Sequence, residues 1–207
     1  MKTNRQRRIM FMKSWWRFLT LGGVILIILA CGGSLRYVER DPDLRDFHPR
    51  TIGVLTVDAG SYEEARGIVE ELVSAALTNK GWFTAVLPAA TLKARLQGDQ
   101  GLQQSVNDYL AKLKTVNYSD PALSMKIGAA FNMEAFLVVT VDSWTYAVEN
   151  KEKVARAGLS MRLIDAQTGR TAWRAGHDVV KEYTFLKPAL KDLARGVVET
   201  MISAMPH

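Results

Sequence analysis

"AFLVVTVDSWTYAVENKEKVARAGLSMRLIDAQTGRTAWRAGHDVV", residues 135–180, decides the fold. Ala135 to Val148 is rich in β-branched and aromatic residues, as a buried strand requires. The polar stretch "ENKEK" interrupts it. Ala155, Ala157, Leu159, Met161 and Leu163 then alternate with Arg156, Gly158, Ser160 and Arg162, so a second strand has one wet face. "DAQTG" is a turn, with Asp165 and Gly169 shaping a hairpin and Trp173 packing on the sheet. "RTAWRAGHDVV" returns as a third strand and completes an antiparallel meander.

Towards the N-terminus, "TIGVLTV" (51–57) reads as a buried strand and "DAGS" as a turn. Ser61 with Glu64 has the spacing of a capping box, which predicts a helix to about Asn79 that Gly81 ends. "WFTAVLP" (82–88) is the next strand, and strand–helix–strand within this span predicts a parallel βαβ start. Residues 89–116 read as one or two helices broken near Gly98-Asp99. Asp120-Pro121 opens another, with Pro just inside its start. Residues 184–204 form a closing amphipathic helix, with Lys187-Pro188 in its first turn. The fold class is therefore α/β: a single domain over 51–207 with a mixed sheet of about five strands, packed by helices in two or three layers.

Residues 31–50 read as a flexible tether, because "VERDPDLRDFHPR" is charged, carries two prolines and has no apolar period. Before it, Phe18 to Ala30 is thirteen uncharged residues, short of the ~20 that span a bilayer. Lys2, Arg5, Arg7, Arg8, Lys13 and Arg17 precede that run, and the whole has the build of a signal peptide over 1–30. Met12 offers a second start and a more compact signal. Ile28-Leu29-Ala30-Cys31 resembles the lipobox of bacterial lipoproteins. That resemblance implies cleavage between Ala30 and Cys31 and acylation of Cys31. Gly32 in place of Asp implies the outer membrane, with the domain facing the periplasm. The other readings of this segment are a signal anchor and a buried thiol.

Loss of residues 1–30 changes the charge balance. Six of the 27 Lys and Arg residues lie there and none of the 21 Asp and Glu residues does, so the remainder carries 21 of each. A formal charge of +6 on the whole chain is thus no argument for nucleic acid. Cys31 is the only cysteine, which excludes a disulfide framework.

Enzyme signatures are missing. There is no Gly-x-Ser-x-Gly, no His-Glu-x-x-His, no phosphate loop and no dinucleotide fingerprint. His48, His177 and His207 share no ligand spacing and read as surface or edge residues. Asp58 follows the first strand, where open α/β sheets place ligands, but alone it is a weak signal and a helix-capping or turn role suits it better. No catalytic residue, cofactor or metal is expected.

"IGAAFNMEAFLVVTVDSW" (127–144), "GLSMRLIDAQTGRTAW" (158–173) and "LKDLARGVVETMIS" (190–203) together resemble the periplasmic domain of CsgG-type lipoproteins. Related domains stand at the N-terminus of TolB and in LpoB. The resemblance implies an α/β envelope domain. It does not carry over a pore, because the connections "YAVENKEKVARAG" (146–158) and "HDVVKEYTFLKP" (177–188) cannot hold membrane hairpins of ~9–11 residues per strand beyond the meander itself. The expected function is a non-enzymatic accessory or docking lipoprotein of an envelope machine. Its partners would be the membrane, through the anchor, and an envelope complex. Trp144, Tyr146 and Tyr183 near element ends are the docking candidates, and exposed strand edges make self-association an expectation. A subunit of a CsgG-like export channel and a periplasmic enzyme of another type are the alternatives.

Overall fold

A computed structural model describes residues 35–207. Cys31, Ala30 and the signal-like segment lie outside the described residues. The strands are β1 (Tyr37–Arg40), β2 (Thr51–Val54), β3 (Ala85–Leu87), β4 (Ala135–Glu149), β5 (Glu152–Asp165) and β6 (Thr171–Tyr183). The helices are α1 (Glu63–Lys80), α2 (Ala89–Leu96), α3 (Gln100–Val116), α4 (Pro121–Phe131) and α5 (Leu190–Ser203). The strands form one sheet in the order β1-β6-β5-β4-β2-β3.

The meander is β4-β5-β6, antiparallel throughout. Asn150 and Lys151 turn β4 into β5 with φ of 50° and 72°, the left-handed pair that matches strand twist in a two-residue hairpin. At the second turn Asp165 accepts from the Gln167 N–H and the Thr168 hydroxyl. Gly169 there has φ 72°, and a Cβ on it would lie 2.8 Å from Pro121 Cα, so only glycine fits. β2 runs parallel to β3, as the βαβ reading predicted, and on its other side it runs parallel to β4.

Helices cover the two faces differently. On one face α1 and α5 pack with Val139, Leu159, Met161 and Trp173 in a buried cluster. On the other, α2, α3 and α4 pack against Leu55, Phe136, Val138 and Ile164. There Tyr109 meets Phe136 edge-on at 5.3 Å, and burial pushes its phenol up to about 12. The helix breaks fall where local chemistry puts them. Asp99 caps α3 through Leu102 N–H, and Asp120 caps α4 through Ala122 and Leu123 N–H. Gly81 ends α1 at φ 65°.

Three expectations are corrected. The tether reading of 31–50 fails from residue 37 onward, because β1 pairs with β6 and makes a sixth strand. Gly176 leaves room for the Tyr37 ring, Glu39 pairs with Arg174, and Asp41 and Asp43 pair with Arg170. The charges that looked like solvated tether are the ones that dock it. Ser61 and Glu64 do not form a capping box: the N-cap is Tyr62, which makes no side-chain cap bond. Glu63 instead binds Arg66 one turn on. Finally, α5 starts at Leu190, after Lys187-Pro188, because the chain stays extended through Ala189 (φ −70°, ψ 128°).

Candidate functional site

α2, α3 and α4 all belong to the β3-to-β4 crossover, and they cover the β2–β4 side of their face and the end of β5 at Ile164. α5, the one helix after the meander, packs on the opposite face. The outer part of the face, on β5, β6 and β1, is therefore left to side chains alone. Asp142 follows Phe136, Val138 and Thr140 onto this face, and the bulge between Val141 and Ser143 adds Ser143 to it and turns Trp144 to the other face. Asp142 accepts from Ser160 at 2.6 Å and pairs with Arg36. Arg156 bridges Glu149 and Asp178, and Arg174 binds Glu39 at 2.9 Å. The result is a polar, ion-paired surface bounded by the edge strand β1, all four of whose residues are exposed.

A cavity of about 900 Å³ opens between this sheet face and α2–α3. Such volumes suit small-molecule sites. Val57 and Val138 form part of its floor, and Leu96, Val106, Leu110 and Leu113 of α2 and α3 form its apolar wall. Its lining holds five cations, Arg66, Lys93, Lys114, Arg162 and Arg174, against one carboxylate, Asp58.

Asp58 is both turn residue and cavity residue. It accepts from Gly60 N–H at 3.1 Å and pairs with Lys114 at 2.8 Å. Burial pushes its carboxyl up, but the Lys114 hydrogen bond, the Gly60 N–H and the Lys114 and Arg66 charges together hold it below the ordinary range. A lowered folded value means the stabilisation exists above the unfolded-state pKa of ~3.9 and fades as pH falls through the folded one. Asp58→Asn should thus lower the urea midpoint at pH 7 by an amount worth at most ~1 kcal/mol, since Lys114 is largely exposed. The gap between the two proteins should close in titrations carried below about pH 4.

The residues expected to dock a partner lie elsewhere. Trp144 is only 6% exposed and sits in the α1–α5 core. Tyr146 and Tyr183 pack edge-on at 6.1 Å against that core, and the Tyr146 hydroxyl donates to Pro188 O at 2.8 Å. None of the three is an exposed aromatic anchor: the β4 bulge turns Trp144 into the α1–α5 core, and the Lys187-Pro188 segment lies over Tyr146. His177 is likewise not a surface residue: it is 4% exposed and stands opposite Leu159. His48 Nδ1 lies 2.6 Å from the His207 carbonyl oxygen, and the His207 ring stacks on Trp82 at 3.8 Å. Among the described residues, no group of three or more His, Cys, Asp or Glu side chains could hold a metal, and no helix is long and apolar enough to cross a membrane.

The cationic cavity was missed in the sequence because its members come from different elements. One signal was present: Arg162 and Arg174 occupy wet-face positions on two strands joined by the "DAQTG" turn, which brings them opposite each other.

No family model matches the chain, and no curated protein matches it. Among solved structures it is similar to the PelC dodecamer from Paraburkholderia phytofirmans, at 15% identity over 81% of this chain and 93% of that one, with a TM-score of 0.51. It is also similar to the lipoprotein GNA1162 from Neisseria meningitidis, at 16% identity over 76% of this chain and all (100%) of that one, with a TM-score of 0.51. At these identities the likeness is one of fold.

Proposed function

We propose that the chain is a non-enzymatic accessory component of a bacterial envelope machine, held at the periplasmic face of the outer membrane by acyl chains on Cys31 and working by docking. The observation that carries this reading is the helix-free part of the sheet face beside the exposed edge strand β1. An ion-paired polar surface on a rigid sheet suits reversible protein contact, in which charge sets register and partner choice. The lipobox-like segment upstream supports the anchor, and the fold shared with lipoprotein GNA1162 agrees with an envelope setting. The finer CsgG-type assignment rests on the sequence motifs quoted above.

A second reading, a subunit of an oligomeric export channel, is favoured by the dodecameric state in which the fold neighbour PelC was crystallised. In this chain the β4–β5 turn is only Asn150-Lys151, so a pore would have to be built from surfaces other than an added hairpin.

Crosslinking in intact cells, followed by capture of the chain and mass spectrometry, separates the two. The docking reading predicts one dominant envelope complex in the capture. Recovery of the chain alone, as a large ring that survives detergent, overturns it in favour of the channel.

A further inference from the structure

The ligand chemistry of the cavity goes beyond docking and does not depend on it. Arg162 and Arg174 stand directly opposite each other on β5 and β6. Like charges in that position destabilise a sheet pair unless something neutralises them. Arg174 has its counter-charge in Glu39, its partner on β1. Arg162 has only the neutral Asn117 side-chain oxygen, at the C-cap of α3, among the described residues. Lys93, on α2, has no carboxylate partner among them either. Beside this uncompensated charge runs an apolar wall that includes Val106 and Leu110.

A free inorganic anion would leave that wall wet, and a neutral hydrocarbon would leave Arg162 without a counter-charge. The geometry points to a ligand with both parts: an amphiphile bearing one carboxylate or phosphate, its head on Arg162 and its apolar chain along α3. An arginine meets such a head with two parallel N–H donors. Each methylene of the chain that is buried on the wall strengthens binding. A free fatty acid and a membrane phospholipid share this chemistry.

The test uses the full chain in phosphatidylcholine nanodiscs. It is irradiated with diazirine-bearing hexadecanoic acid or with the matching neutral alcohol, and the labelled peptides are mapped. The acid should label α2 and α3, and the alcohol should label them roughly tenfold less, the loss expected for one charge-assisted contact. Dodecyl phosphate should compete and inorganic phosphate should not. Lysophosphatidic acid competing more strongly than dodecanoic acid would identify the membrane lipid as the source, and the reverse would identify the free acid. Arg162→Gln should cut labelling about tenfold with an unchanged melting curve. Leu110→Glu, which sets a carboxylate on the half-buried wall, should do the same if the first variant folds poorly. Equal labelling by acid and alcohol, label outside 89–117, competition by inorganic phosphate, or full labelling of both variants would overturn the proposal.

Discussion

Trp173→Ala should destabilise the domain by about 3–5 kcal/mol, the range for emptying a buried aromatic site. For a domain of this size that lowers the thermal midpoint by roughly 10 °C or more. Trp173 is fully buried (0% exposed) near the start of β6, opposite Leu163 on β5 and Arg40 on β1. Its ring lies in the cluster that joins the sheet to α5 through Val197, Val198 and Met201. Paired strands on both sides fix the backbone, so the space cannot close. The indole N–H has no partner among the described residues. An unmet buried donor costs about 1–3 kcal/mol. Trp173→Phe removes that donor and keeps most of the ring, so it should lose less than half as much. Chemical denaturation of the three proteins measures both differences. A loss below about 1 kcal/mol for the alanine variant would mean that Trp173 is not enclosed as described.

Cys31→Ser should move the protein from the membrane fraction to the soluble one. A single acyl chain holds a protein only marginally, whereas two or more give stable anchoring. Removing the acylated thiol removes every chain at once, because Cys31 is the only cysteine. The thirteen-residue apolar run before it is too short to replace the anchor as a transmembrane helix, which needs ~20 residues. Cell fractionation with an antibody to the domain reads the outcome, and incorporation of labelled palmitate checks the chemistry. If the unsubstituted protein takes up no labelled palmitate, or the variant takes up as much, the lipobox reading is wrong.

Much of the fold was legible because it rests on short-range chemistry. The alternation from Ala155 to Leu163 places five side chains in the core and leaves Arg156, Ser160 and Arg162 partly exposed. Asp120-Pro121, Asp99 and Gly81 start or end helices through contacts within a few residues. The meander, the βαβ start and the mixed α/β class follow from such signals.

The misses share a different origin. β1 reads Tyr-Val-Glu-Arg and has no apolar face. It is a strand only because Gly176, Arg174 and Arg170, more than a hundred residues away, supply a slot and counter-charges. Trp144 and Tyr183 stand near strand ends in the sequence, but the β4 bulge turns Trp144 into the α1–α5 core and Tyr183 packs edge-on against Tyr146.

The sequence by itself determined the order and type of most elements, the lipobox-like Cys31 and the charge balance, because each depends on neighbours along the chain. The tertiary structure alone decided where the domain begins, which part of the sheet stays open and which cations meet at one cavity. Those outcomes depend on pairing between distant segments, and their free energy exists only once loop closure has brought those segments together.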